Sequence, residues 1–157
     1  MLRKRSSGAT TGAELLDVVV RLNRWATHQT AWDVPLAQVR VLSHIDQWGR
    51  ARVTDLARAE PCSQPTMTAR VQALAAQGWL ARTIDPDDAR SALLTLTQTG
   101  KAVLAKARGS RARVIDALLE QMDAGQRERI EDATTVLHAL LEAAYADTPD
   151  STDPEKS

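Results

Sequence analysis

Residues 53–100 read VTDLARAEPCSQPTMTARVQALAAQGWLARTIDPDDARSALLTLTQTG, and this stretch decides the fold. Thr54 is a favourable N-cap for a short helix, and residues 60–62 then break the pattern. Ser63 caps a second helix that ends at Gly78, so the stretch predicts two short helices joined by a tight turn. The second helix has apolar residues at i, i+4 and i+7, which predicts a buried stripe of Met67, Val71 and Leu74.

After the second helix, the period of the sequence changes. Residues 79–84 and 92–96 are rich in large apolar and β-branched side chains, and a polar turn at 85–90 separates them. This pattern predicts a two-stranded hairpin. Two short helices followed by a hairpin form the outline of a winged helix-turn-helix, in which one helix fits the DNA major groove and the hairpin reaches over the adjacent backbone or minor groove.

Helical periodicity continues on both sides of this stretch. The predicted helices are residues 14–29, a helix that begins at Pro35 and stops at Gly49, a long helix from Thr97 or Thr99 to Met122, and a last helix after the capping box at 123–126. The fold class is therefore mostly α with a small β-hairpin. We expect a disordered basic arm at 1–12, a single domain at 13–146 and a disordered acidic tail at 147–157.

Composition limits the class of protein. The chain has 157 residues, of which 43% are hydrophobic and 25% charged, which favours one globular domain over disorder. A single cysteine excludes an internal disulfide framework, and no apolar run is long enough for a membrane span, so we expect a soluble, cytoplasmic protein. The net charge is zero, but residues 1–101 carry 13 basic and 9 acidic side chains, so a local basic surface is compatible with DNA binding.

The sequence resembles the MarR family of winged helix-turn-helix transcriptional regulators. The resemblance is carried by residues 53–57, 63–68, Leu74, 78–82, the wing 85–91, and 94–97 with Gly100. It implies a winged-helix lobe at about 34–97 and intertwined dimerisation helices at about 13–32 and 98–146. It also implies a ligand-responsive repressor that binds a pseudo-palindromic double-stranded operator as a homodimer. Apolar faces on the first, fifth and last helices exceed what one small subunit needs, which independently favours a dimer.

Two groups of residues are candidates for DNA contact. Those on the second helix of the motif contact base edges or phosphates: Ser63, Gln64, Thr66, Thr68, Arg70 and Gln72. Those on the wing and its flanks are Asp88, Arg90, Arg82 and Arg52, where Asp88 would orient Arg90 toward a narrow minor groove and the other two would meet phosphates. For each residue the alternative is an ordinary solvated surface. Many members of the family carry Arg where this chain has Ala69, so the operator sequence stays open.

A second candidate site binds a small aromatic or phenolic ligand. Trp25, His28, Trp32 and His44 cluster near the junction of the first two helices, although packing of the Trp side chains in the core is the commoner explanation. The three His residues lack metal-ligand spacing, and Cys62 is more simply an inert thiol than a redox sensor. The acidic residues of the turn that begins at Asp85 are explained as an exposed surface turn rather than as a catalytic cluster.

No enzyme motif is present in the sequence: it has no phosphate-binding loop, nucleophile motif or metal cluster, and we expect no cofactor. The alternative to a DNA-binding regulator is a winged-helix module that binds protein and not DNA.

Overall fold

The computed structural model describes residues 10–86, 88 and 91–146. Within them the chain forms six helices and one antiparallel hairpin, as the sequence predicts. The elements are α1 Thr11–Gln29, α2 Leu36–Trp48, α3 Val53–Ala59, α4 Gln64–Ala76, β1 Leu80–Ile84, β2 Ala92–Leu96, α5 Gln98–Leu119 and α6 Ala124–Ala146.

The chain divides into two compact units, one ending at Val114 and one beginning at Ile115. The first unit contains the winged helix-turn-helix and its hydrophobic core. The predicted stripe of α4 is confirmed, because all three of its apolar residues are fully buried. They pack with side chains from α2, α3, β2 and α5: Val41, Leu42, Ile45, Leu56, Leu94 and Leu104. The aliphatic core therefore fixes one face of α4 and leaves the opposite face in solvent.

The hairpin is paired from Leu80 opposite Leu96 to Ile84 opposite Ala92. Its second strand also pairs on the other edge, because Ala51 and Leu94 exchange two backbone hydrogen bonds of 3.0 and 2.9 Å. The sequence does not predict this third pairing, which ties the hairpin to the residues just before α3.

The beginning of α5 is fastened to the end of α4. The Thr97 hydroxyl donates to the Gly78 carbonyl at 2.6 Å and accepts from the Gly100 N–H at 3.0 Å. The Thr97 N–H donates to the Trp79 carbonyl at 3.1 Å. A Cβ on Gly100 would lie 2.1 Å from that carbonyl oxygen, so only glycine allows α5 to approach this closely. Of the two predicted start residues, Thr97 is therefore the one that caps α5.

Several predicted boundaries are wrong by a few residues. Helix α1 begins at Thr11 rather than at residue 14, with the Thr10 hydroxyl accepting from the Ala13 N–H, so residues 11 and 12 of the predicted arm are helical. Helix α3 begins at Val53, and its N-cap is Arg52 rather than the predicted Thr54. The backbone N–H of Arg52 donates to the carboxylate of Asp55. In addition, Trp79 precedes β1 and Met122 follows α5. Residues 1–9 and 147–157, which include most of the predicted arm and the tail, lie outside the described residues.

Two predicted helix signals are confirmed in detail. Gly49 and Gly78 have φ of 75° and 73°, the left-handed conformation that ends α2 and α4. At the start of α6, Asp123 and Gln126 form the reciprocal capping box, with hydrogen bonds of 2.8 and 3.1 Å. No helix in the described part of the chain is both long and apolar enough to cross a bilayer.

The two glycines of α5 are predicted to respond oppositely to substitution. Gly100→Ala should lower the free energy of unfolding by roughly 1–3 kcal/mol, since its methyl group collides with backbone that cannot move away. Gly109→Ala is the matched control, because no atom outside its own helix backbone and chain neighbours lies within 4 Å of the place that the new methyl group would take. It should raise the free energy of unfolding by about 0.4–1 kcal/mol by restricting the unfolded chain. Urea unfolding followed by circular dichroism measures both, and equal effects would contradict the assignment of Gly100.

Candidate nucleic-acid interface

The N-terminus of α4 is organised by Ser63. Its hydroxyl oxygen accepts from the Thr66 N–H at 3.3 Å and lies 2.8 Å from the Thr66 hydroxyl oxygen. Pro65 in the first turn adds a backbone angle that already suits a helix. Ser63 therefore holds the first turn of α4 in one conformation, as the sequence predicts of a cap.

Three of the predicted contact residues of α4 are exposed. Thr66 and Gln72 lie away from the buried stripe, and Gln64 is exposed in the first turn of the helix. A glutamine amide offers a donor and an acceptor to an adenine edge, and a threonine methyl fits the methyl of thymine. The exposed surface of α4 has the chemistry and the length to contact bases in a major groove.

Two further predicted residues of α4 lie on its flank. The Thr68 hydroxyl donates to the Gln64 carbonyl at 2.9 Å, and the side chain is half-buried. Arg70 is also half-buried, and its Nη1 is enclosed without a hydrogen-bond partner among the described residues. Thr68 and Arg70 are therefore less accessible to DNA than the exposed Gln64, Thr66 and Gln72.

The base of the wing is held by a buried carboxylate. Asp85 is only 1% exposed, which corrects the prediction of an exposed acidic turn. Its carboxylate binds the guanidinium of Arg52, whose side chain is 40% exposed, across 33 positions of sequence. Its N–H donates to the Ser91 carbonyl at 3.1 Å, and the Ser91 N–H donates to the Asp88 carbonyl at 2.8 Å. Arg52, predicted to meet phosphate, thus joins the start of α3 to the wing.

The other residues predicted to contact DNA from the wing lie on β1 and between the two strands. Arg82 on β1 and Asp88 in the turn are exposed. Arg90 lies outside the described residues, so its orientation by Asp88 stays a prediction. Arg50 and Arg58 are also exposed on this unit, and Arg58 pairs with Asp55 at 3.5 Å. The unit that contains α4 therefore carries exposed cations on α3, on β1 and before α3, which a polyanion could contact.

A small crevice lies between the α1–α2 connection and α5. Its volume is about 120 Å³, and it is lined mainly by apolar groups that include Trp32, Val34 and Val103. The Trp32 indole N–H donates to the Thr27 carbonyl at 3.0 Å, which fixes the ring. Lys106 and Asp33 form an ion pair of 2.7 Å in the crevice wall. The hydrogen bond from Lys106, together with its charge, lowers the pKa of the Asp33 carboxyl below its ordinary value.

Only one of the four predicted ligand-site residues lines this crevice. Trp32 does, whereas Trp25 and His28 lie exposed on α1 outside its lining. His44 instead binds Glu60 and stacks on Trp48, with ring centroids 4.9 Å apart. The crevice also includes Val103 and Lys106 of α5, which are not predictable from residues 25–44 because nothing local shows which distant helix packs there.

Metal chemistry has no support in the described part of the chain. No group of three His, Cys, Asp or Glu side chains is placed there to hold an ion. Cys62 is half-buried just before the α4 cap.

Residues 34–92 match the MarR family model, and they span α2, α3, α4, β1 and the beginning of β2. This part of the chain is a MarR-family domain. It contains α4 and the base of the wing, and it has the DNA-binding fold of MarR-family transcriptional regulators.

Related sequences agree with this membership. The chain is 26% identical over 137 residues to the HTH-type transcriptional regulator Mb0904 of Mycobacterium bovis, covering 87% of this chain and 96% of that protein. It is 30% identical over 88 residues to the regulator YxaD of Bacillus subtilis, covering 56% of this chain and 62% of YxaD. Both are named as transcriptional regulators rather than enzymes.

Two solved structures show the same fold. The transcriptional regulator Tm0710 of Thermotoga maritima superposes with a TM-score of 0.64 at 24% identity, covering 86% of this chain and 96% of that chain. A point mutant of S. aureus MepR, solved bound to an oligodeoxyribonucleotide, gives a TM-score of 0.56 at 17% identity, covering 85% of this chain and 99% of that chain. The winged helix-turn-helix fold of this chain is therefore shown by architecture as well as by sequence.

Substitutions of two arginines in the winged-helix lobe are expected to differ in their effect on the stability of the protein. Arg52→Gln removes a guanidinium that binds the buried Asp85 carboxylate, and should lower the free energy of unfolding by about 1–3 kcal/mol. Arg82→Gln, the matched control, removes an exposed cation and should change that free energy by no more than about 0.5 kcal/mol. Thermal unfolding measures both variants. Equal losses of stability would show that Arg52 does not hold the wing.

Proposed function

We propose that this protein is a sequence-specific double-stranded DNA-binding regulator that acts as a homodimeric, ligand-responsive repressor. The observation that carries the proposal is the geometry of α4, whose buried stripe packs in the core while Thr66 and Gln72 lie exposed away from it and Gln64 is exposed in the first turn. A recognition helix needs this division, because its inner face must be fixed for its outer face to read bases. The oligonucleotide bound to the similar MepR structure supports the same interpretation.

The roles of the contact residues divide by position. In this proposal Gln64, Thr66 and Gln72 contact base edges, while Arg82 and the wing residue Arg90 contact phosphate or the minor groove. Ser63 acts through the cap, and Arg52 acts by holding the wing rather than by binding phosphate. Affinity then comes mainly from the cations and specificity mainly from α4.

The homodimer is supported by apolar surface on α1 and on α6, taken separately. In α1 the exposed apolar residues include Leu16, Val18, Val19, Val20 and Leu22, and only Ala26 is buried. In α6 no residue is buried, and the exposed ones include Ile130, Val136, Leu137, Leu140 and Leu141. Water-exposed apolar surface of this extent is unusual in a monomer, so a second copy of the chain is the proposed cover. Two copies would place their recognition helices about 34 Å apart, one DNA turn.

Ligand response is supported by the crevice at Trp32. The apolar wall suits the ring of a small aromatic acid, and the Lys106 ammonium in the same wall suits a carboxylate or phenolate. A ligand of this kind would compete with Asp33 for Lys106. The proposed occupant is therefore an aromatic carboxylate of about the size of benzoate.

A mobility shift with the promoter of the protein's own gene tests DNA binding. We expect binding at low salt that weakens steeply as salt rises, because each phosphate contact releases counterions. Arg90→Ala should lower the affinity for DNA. Adding Gln72→Ala should also lower the discrimination against a mismatched base pair, by about 1–3 kcal/mol. An aromatic carboxylate added to the same assay should release the DNA, and Lys106→Gln should abolish that release.

Glu14→Gln, a substitution near the start of α1, serves as the control variant and should bind DNA like the wild type. Wild-type protein that ignores duplex DNA at low salt would favour the protein-interaction module. Equal DNA binding by the wild type and by the Arg90→Ala, Gln72→Ala double variant would overturn the assignment of the contacts.

Sedimentation velocity tests the dimer. The wild type should sediment as a dimer, and Leu140→Glu should shift it toward monomer, since a charge would be buried in the apolar interface. Glu128→Lys, at an exposed polar position near the start of the same helix, is the control and should leave the dimer intact. A wild-type monomer at micromolar concentration would contradict the proposal.

A further inference from the structure

An acidic side chain is buried at the turn between α3 and α4. Glu60 is the C-cap of α3, with its N–H donating to the Leu56 carbonyl at 3.1 Å. Its own carbonyl accepts from the Cys62 N–H at 2.7 Å, so its backbone belongs to the turn itself. Its side chain is only 4% exposed. The cap of α4, Ser63, follows three residues later, so Glu60 lies in the short turn that leads into the first turn of α4.

Two side chains of α2 hold this carboxylate. The Arg40 Nε and the His44 Nε2 each lie 3.0 Å from the same oxygen, Oε1 of Glu60. Because Arg40 and His44 are four residues apart, they project from successive turns of one helix face. The ring of His44 stacks on Trp48 at an interplanar angle of 29°, which fixes the direction of the imidazole. The carboxylate is therefore located by two directional contacts from one rigid element.

A buried carboxylate is a costly way to fill this position. Its desolvation opposes folding, and an apolar side chain of similar size would pack there without that penalty. What the polar cluster adds is geometry, since hydrogen bonds weaken steeply as distance and angle depart from the optimum, whereas apolar contacts tolerate sliding. The cluster consequently fixes where the turn lies along α2 more sharply than the aliphatic core does.

We propose that Glu60 is a positioning residue for DNA recognition, which clamps the α3–α4 turn to α2 and so sets where the first turn of α4 meets the bases. This inference rests on the proposed function. It assigns Glu60 no contact with DNA. The exposed residues that depend on it are Gln64 and Thr66, whereas Gln72, two turns further along, is located mainly by the core.

Glu60→Leu and Glu60→Gln test the clamp on two duplexes. One is the duplex that the wild type enriches from a random-sequence pool, and the other is a scrambled duplex of the same length. Glu60→Leu should weaken binding to the enriched duplex by about tenfold, equivalent to about 1.4 kcal/mol. Binding to the scrambled duplex and the salt dependence should stay unchanged, because the phosphate contacts remain. Glu60→Gln, which keeps the accepting oxygen, should lose less.

Asp46→Asn is the matched control. Asp46 is a carboxylate of α2 itself that pairs with Arg108 of α5 at 2.7 Å, and it does not lead into α4. Its substitution should leave the preference between the two duplexes unchanged. A double-mutant cycle adds a readout that a purely structural role would not move: in a Gln64→Ala background, Glu60→Leu should cost less affinity than in the wild type.

The outcomes separate the two proposals. Equal weakening on both duplexes, or an unchanged preference in protein shown by its thermal unfolding curve to be fully folded, would overturn the role of Glu60 alone. Wild-type protein that binds neither duplex would overturn the proposed function and this inference with it. If Glu60→Leu does not fold, His44→Gln removes one arm of the clamp and should reduce the duplex preference in the same direction.

Discussion

The close approach of the start of α5 to the end of α4 is the constraint on which the DNA-binding lobe depends. At this junction Thr97 bonds to the carbonyls of Gly78 and Trp79, and Gly100 leaves room for the contact. Both ends of the hairpin meet here, since β1 begins just after Trp79 and β2 ends just before Thr97. The end of the recognition helix, the stem of the wing and the first turn of α5 are thereby fixed by one set of short contacts.

Two buried carboxylates connect the core of this lobe to the surfaces that are proposed to meet DNA. One is Asp85, which binds Arg52 at the base of the wing, and the other is Glu60, which binds Arg40 and His44 at the turn before α4. In both, the carboxylate is buried and its basic partner is partly exposed. The two carboxylates thus act as internal anchors, one for the base of the wing and one for the turn before α4.

The elements of the fold are predictable from the sequence because their signals are local. Ser63, Asp123 and the two left-handed glycines mark helix ends within a few residues, and the change of period after Gly78 marks the hairpin. The polar anchors are not predictable in this way. Asp85 lies 33 positions from Arg52, and Glu60 lies 16 and 20 positions from its partners. The contact between His44 and Glu60 is not predictable for the same reason, since the local pattern around residue 44 does not identify the turn after α3 as its neighbour.

The pairing of Ala51 with β2 has a consequence for how the protein behaves at high concentration. Sheets with open edges can recruit strands from other molecules and aggregate. Here β2 is bordered by β1 on one side and by Ala51 on the other, so its apolar run of ALLTL is partly closed to further strands. The outer edge left to β1 is five residues long and carries the charge of Arg82, two properties that discourage edge-to-edge association.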